Sequence, residues 1–204
     1  MINLKENDLV FAKVKPNAII PTKRDEDAGR DVYACFDEDY MVIPAHTTKL
    51  IPTGIASAMT SKYEIRLCDR GSNGSKGIHV NAGTIDSGFR SQWFVAWCNT
   101  NDRDVLLSKL SYEELIDKYG AIDEFDPYDT EIPLNPAKPY DALENATRVY
   151  DAYGDQLILY PYTKAICQAE VREVPVMNQY EITYEELKAI PSKRGTGALG
   201  SSGK

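Results

Sequence analysis

The chain has 204 residues, enough for one domain or for one domain carrying a sizeable insertion. Acidic residues outnumber basic ones 31 to 23, a formal net charge of -8, which argues against nucleic acid held on a general basic surface but not against a small phosphorylated ligand in a local positive pocket. No apolar stretch approaches a membrane span, and Met1-Ile2-Asn3-Leu4-Lys5 has no signal-peptide core, so a cytoplasmic location without a membrane or nucleic-acid partner is expected.

The first hundred residues read as short strands separated by turns. Leu9–Val14 precedes Pro16-Asn17, Val32–Cys35 stops at an acidic turn, and Met41–Ile43 ends at Pro44. Glu64–Cys68 alternates polar and apolar, as a half-buried strand does. Gln92–Cys98 is apolar on both faces, which predicts burial on both sides or at a subunit contact. Many short strands with Gly and Pro turns imply an all-β sandwich, jelly roll or barrel. From about Asn99 to Asp155 the character changes. Ser111-Tyr112-Glu113-Glu114 is a capping box followed by apolar residues at helical spacing, and Asp141 with Glu144 opens a second candidate helix. The acidic run Asp123–Glu131 lacks the spacing and central glycine of a calcium loop, so a solvated loop is expected there. Residues 100–154 are read as a small helical insertion on the β domain. Strand character returns at Gln156–Tyr160 and Lys164–Val171, and Thr183-Tyr184-Glu185-Glu186 caps a last short helix. Four widely spaced cysteines in or beside apolar runs predict buried free thiols, and His46 and His79 are too few for a histidine-based metal site.

Several loops carry chemistry. Ala28–Ala34 places Asp31 at the mouth of a strand, where an aspartate after glycine is also an ordinary turn residue. Arg70–Ile78 concentrates two cations, two serines and three glycines; it is either a polar surface loop or a phosphate cradle. Asn81–Phe89 reads as a β-hairpin with Asp86 near its turn and Phe89 after it. Gln168 interrupts an apolar strand, and a buried amide needs partners. The tail Arg194–Gly203 joins an arginine, two adjacent serines and glycines that let N–H groups converge, which suits phosphate and equally describes a flexible tail or an appended linker.

In this order the segments resemble the five motifs of the homotrimeric dUTPase family: AGRDVYA, RGSNGSKGI, NAGTIDSGF, KAICQAEV and RGTGALGSSG. The stretch Ile43–Ala56 is similar to the family's segment between its first two motifs. The resemblance covers roughly residues 8–98 and 155–203. It implies a jelly-roll-like (β-clip) all-β fold, assembled as a threefold ring. Three sites would lie at subunit boundaries, each taking the third motif from one neighbour and the tail, residues 192–204, from another as a mobile lid. It implies hydrolysis of dUTP to dUMP and pyrophosphate with Mg²⁺. Asp86 matches the acid that deprotonates the attacking water, and Asp31 the acid that holds the metal through water. Arg70, Gly71, Ser72 and Gln168 match phosphate contacts. Arg194, Leu199, Gly200, Ser201 and Ser202 match the closing tail. Asn81, Gly83, Thr84 and Ile85 match the segment that reads uracil, and Phe89 matches the aromatic, usually tyrosine, against the deoxyribose.

The match departs from the family at four places, one of them Ser91 and Gln92, which replace the usual Gly-Glu after the third motif. Gly71 stands where the second motif usually has serine, and Leu199 where the tail usually has phenylalanine. Residues 100–154 interrupt the domain between the third and fourth motifs. With tyrosines at 112, 119, 128, 140, 150 and 153, this insertion is either a packed appendage or a docking surface for another protein. Some virus-encoded members carry inserts here that touch regulatory partners, so a phage or prophage origin is compatible, and the host cytoplasm would then be the location. Two rivals follow. A dCTP deaminase of the same fold needs a glutamate where this chain has Ala96. A nucleotide-binding switch or partner-binding module with weak catalysis is consistent with Gly71, Leu199 and the insertion.

Overall fold

The computed structural model describes residues 3–111, 114, 115, 118 and 157–192. The chain falls into two units, residues 1–174 and 175–204. In the first, strands follow as β1 (Leu9–Lys13), β2 (Gly29–Val32), β3 (Tyr40–Ile43), β4 (Thr48–Pro52), β5 (Ile55–Met59) and β6 (Tyr63–Cys68). A single helical turn, α1 (Gly71–Gly74), precedes β7 (Ile78–Asn81), β8 (Thr84–Ile85), β9 (Phe94–Asn99), β10 (Asp104–Ser108), β11 (Leu157–Pro161) and β12 (Cys167–Glu173). The all-β class expected from many short strands is what forms, with the jelly-roll-like fold that the resemblance implied.

Four sheets carry a main core and a smaller apolar cluster of Tyr40, Leu106, Leu115 and Leu157. Their orders are β1-β5, β11-β10-β3, β2-β12-β6-β8 and β4-β9-β7. All pairings are antiparallel except β10 with β11. Period-2 patterning turns Ile65 and Leu67 of β6 inward, with Val95 and Trp97 of β9 on the same core. Trp97 meets Tyr160 edge-on at 5.0 Å, and Phe11 meets Trp93 at 5.6 Å.

Within one chain strand β9 is not buried on both faces, since Phe94 is 47% exposed and Leu50 of the neighbouring strand β4 is 61% exposed, which leaves the subunit-contact reading of that strand. The insertion read as residues 100–154 also begins too early. Asp104–Ser108 is a strand in register with β3, and Val105, Leu106 and Leu107 are buried. The apolar run Val105-Leu106-Leu107 was the available signal, and its two-sided burial removes the alternation that marks a strand. The capping box at Ser111 forms: its hydroxyl accepts from Glu114 N at 3.2 Å, and Glu114 Oε2 accepts from Ser111 N at 2.7 Å. The candidate helix at Asp141, the acidic loop and residues 119–154 of the insertion lie outside the described residues. In the second unit Thr183 caps helix α2 (Tyr184–Ala189) through the expected reciprocal box with Glu186. Two of the four thiols, Cys35 and Cys167, are buried; Cys68 and Cys98 are only half-buried, because both sit on outward-facing strand positions.

Candidate active site

Sheet register builds the first part of the site. Gln168 of β12 pairs directly with Asp31 of β2 on one side and with Cys68 of β6 on the other, so the three side chains form one row on one face. Gln168 is therefore half-buried and not interred. Its Nε2 donates to Asp31 Oδ1 at 3.3 Å. The Arg70 guanidinium approaches the same carboxylate oxygen at 3.7 Å and donates to Ser72 Oγ at 3.3 Å. Gly29 keeps the row open, because a Cβ there would come 3.0 Å from Gln168 Cβ. Gly29, Asp31, Arg70 and Gln168 line a cleft of about 430 Å³ whose remaining wall is the segment 22–27, through Thr22, Lys23, Arg24 and Asp27. Asp31 and Arg70 are about a third exposed, so the pair contributes little to stability and stays available to a ligand.

The glycine-rich segment after Arg70 is not a loose cradle. Arg70 is the N-cap of α1, and its carbonyl accepts from Asn73 N at 2.7 Å and Gly74 N at 2.9 Å. Asn73 is buried to 1% exposure and ties the turn to the core. Its Nδ2 donates to the Ile166 carbonyl at 2.9 Å, which Trp97 Nε1 also reaches at 3.0 Å. Its Oδ1 lies 3.0 Å from the Tyr160 hydroxyl, whose single proton is shared between Asn73 Oδ1 and Ala165 O at 2.6 Å. Burial pushes the Tyr160 hydroxyl above its ordinary pKa, although Asn73 and Arg70 oppose the shift. Asp69 adds a second tie, accepting from Val80 N at 2.6 Å and facing His79 Nδ1 at 2.9 Å. Lys76, the second cation of the segment, is exposed and outside the cleft lining. At Gly71 a Cβ would meet nothing within 4 Å.

The segment Asn81–Phe89 is not a hairpin. Strand β7 pairs with β9 and strand β8 with β6, in different sheets. The chain crosses between them at Ala82, whose φ is +50°, and at Gly83. Gly83 O accepts from Leu67 N at 2.6 Å, and a Cβ on Gly83 would lie 2.3 Å from Leu67 O. Asn81 Nδ2 donates to Thr48 Oγ1 at 3.1 Å, Thr84 Oγ1 accepts from the Arg66 guanidinium, and Ile85 is buried. Asp86 and Phe89 are exposed, with Phe89 N donating to Asp86 O at 3.0 Å.

The order β2-β12-β6-β8 puts Asp31 on one edge strand and Asp86 just beyond the other. Three strand spacings make that about 14 Å across the sheet, so one chain does not bring Asp86 to the Asp31–Arg70–Gln168 cluster. Arg194, Leu199, Gly200, Ser201 and Ser202 lie outside the described residues.

Sequence reasoning missed Lys23, Arg24 and Asp27, which stand just before the first motif, and the Asn73–Tyr160 tie. The basic-acidic turn Lys23–Asp27 was a visible signal. Asn73 looked like any polar loop residue.

The chain is similar to known proteins in sequence and in fold. A family model for dUTPase matches residues 15–111, the stretch holding the first three motifs. The deoxyuridine 5'-triphosphate nucleotidohydrolase of Orientia tsutsugamushi (strain Boryong) is 36% identical over 84 residues, 40% of this chain and 56% of that protein. The enzyme of the same name from Rickettsia bellii (strain OSU 85-389) is 32% identical over 111 residues, 53% of this chain and 70% of that protein. Among solved structures, the dUTPase of Staphylococcus bacteriophage 80alpha with dUPNHPP has a TM-score of 0.57 at 19% identity, spanning 97% of this chain and 99% of that one. The dUTPase from phage phi11 of S. aureus, in a structure concerned with a structural Mg(II) ion, gives 0.53 at 17%, spanning 88% and 99%. The two phage structures share the fold, and the Rickettsia relative is matched over 70% of its length with 32% of the aligned residues identical: the chain belongs to the dUTPase family.

Proposed function

We propose that the protein hydrolyses dUTP to dUMP and pyrophosphate as a homotrimer with shared sites. The separation of Asp86 from Asp31, Arg70 and Gln168 carries this reading: the parts of a phosphoanhydride hydrolase are present, but on opposite edges of one sheet. A cyclic assembly brings one chain's Asp86 to the next chain's cleft.

In that site Asp86 accepts a proton from water as its oxygen attacks the α-phosphorus. The bond from the α-phosphorus to the bridging oxygen breaks, and pyrophosphate leaves with its electron pair. Arg70 and Gln168 hold phosphate oxygens in line, and the Asn73 tie keeps Arg70 in place, so catalysis is positioning and charge neutralisation. Asn81 supports the segment that reads the uracil edge, and Phe89 lies against the deoxyribose. Arg194, Ser201 and Ser202 close over the terminal phosphates, with Leu199 and Gly200 over the nucleotide.

Asp31 is about a third exposed and shares its cleft with one other carboxylate, Asp27, and among the described residues no group of three His, Cys, Asp or Glu could cage a metal. That fits Mg²⁺, which keeps several waters and takes one or two carboxylates plus substrate phosphates. Bound there it would neutralise phosphate charge.

Strand β9 holds no acid, and Ala96 sits opposite Leu50 and Asn81, which argues against deamination of dCTP. Gly71 favours the second reading, a nucleotide-binding protein with weak turnover. The test is anion-exchange analysis of products from dUTP, dCTP, dTTP and UTP with Mg²⁺, beside Asp86→Asn. Conversion of dUTP alone to dUMP, lost in the variant, is the expected result. A deoxyuridine product from dCTP would establish a deaminase. Binding of dUTP without turnover would establish the second reading.

A further inference from the structure

The cleft around Asp31 has a wall that none of the five motifs contains. Segment 22–27 turns back onto the edge of β2, where Thr22 bridges Asp31 and its carbonyl accepts from Asp31 N at 3.1 Å. The turn is closed by Asp27 N donating to Arg24 O at 3.1 Å. The Arg24 fork lies on the Asp27 carboxylate through Nε at 2.9 Å and a terminal nitrogen at 3.0 Å. Lys23 Nζ donates to the carbonyls of Arg24 and Asp25 at 3.1 and 3.2 Å, two of its three donors.

The cleft therefore gathers three cations, Lys23, Arg24 and Arg70, against two carboxylates, within a chain of net charge -8. It has no aromatic or large aliphatic wall, so a nucleobase has nothing there to stack on. The Arg24 side chain is 88% exposed, and an ion pair that open to water is weak and exchangeable. The fork that grips a carboxylate with two bonds also fits a phosphate.

We propose that Lys23 and Arg24 bind the polyphosphate end of the nucleotide, with Arg24 exchanging Asp27 for a phosphate oxygen. This rests on the nucleotide reading of the site and adds to it a specificity device. Each cation that engages phosphate favours a triphosphate over the monophosphate product, and Asp27 competes for Arg24 when no ligand is present.

The test uses the full chain with Mg²⁺, titrated calorimetrically with α,β-imido-dUTP, with dUMP and with inorganic tripolyphosphate. Lys23→Gln and Arg24→Gln are each expected to weaken the imido triphosphate and tripolyphosphate about 5- to 30-fold and to leave dUMP within about twofold. Asp27→Asn, which frees Arg24, is expected to bind the triphosphate as tightly as the unaltered protein or more tightly. If Asp27→Asn weakens binding as much as Arg24→Gln, the pair is only a turn staple and the proposal falls. It falls equally if both glutamine variants bind like the unaltered chain, or if dUMP weakens in parallel. Failure of the unaltered chain to bind any of the three probes would instead overturn the nucleotide reading itself, and this proposal with it.

Discussion

Removing the Asn73 side chain tests whether a buried amide holds the phosphate-facing turn. Asn73→Ala deletes the bond to Ile166 O and the bond from the Tyr160 hydroxyl, at about 1 kcal/mol each, and leaves a small void. The neighbours soften the loss. Ile166 O keeps Trp97 Nε1, and the Tyr160 hydroxyl keeps Ala165 O. The expected cost is about 2–3 kcal/mol. Tyr160→Phe removes a hydroxyl shared between two acceptors and leaves Asn73 Oδ1 without it, at about 1–2 kcal/mol. Because both changes break the same bond, the double variant should cost about 1 kcal/mol less than the sum of the singles. Urea unfolding reports this through tryptophan fluorescence, since Trp97 packs edge-on against Tyr160. All variants must be compared at one chain concentration, because assembly adds apparent stability. Loosening the turn also frees Arg70, so tripolyphosphate affinity should fall in Asn73→Ala. Singles within 0.5 kcal/mol of the unaltered protein, strictly additive and with unchanged phosphate affinity, would refute the tie.

Other outcomes follow from the same geometry. Gly71→Ser should leave the melting temperature unchanged, because the new Cβ enters open space, and should raise turnover of dUTP if the missing hydroxyl limits it; a loss of stability would contradict the open site. Gly83→Ala should cost about 2–4 kcal/mol in urea unfolding, because its Cβ meets the Leu67 carbonyl and the β7–β8 crossing must shift. Asp31→Asn and Asp86→Asn chains, each inactive alone, should regain about a quarter of normal dUTP turnover when unfolded together and refolded at equal amounts, and no regain would refute sites shared between chains. Burial raises the Cys68 and Cys167 thiols above the ordinary range, so iodoacetamide at pH 8 should modify Cys68 more slowly than a free thiol and leave buried Cys167 unmodified; rapid labelling of Cys167 would show that strand β12 opens.

Local chemistry was legible before any coordinates. Period 2 located β6, turn residues ended β3, and the reciprocal Ser111–Glu114 and Thr183–Glu186 boxes were readable because each involves residues three apart. The ordered motifs likewise singled out Asp31, Arg70 and Gln168, which the structure brings together. Other features depended on strand partners that no local pattern encodes. Asn81–Phe89 has the look of a hairpin, yet its two strands join different sheets. Asp104–Ser108 looked like the start of an insertion, yet it forms the strand between β3 and β11. Asn73 meets Tyr160 across 87 residues of chain. By itself the sequence determined an all-β chain with a phosphate-suited set of loops. Only the tertiary structure decided which side chains share a face and that Asp86 stands on the far edge of the sheet from Asp31. The physical reason is that strand register and order come from core burial and long-range pairing, which a short window of residues does not contain.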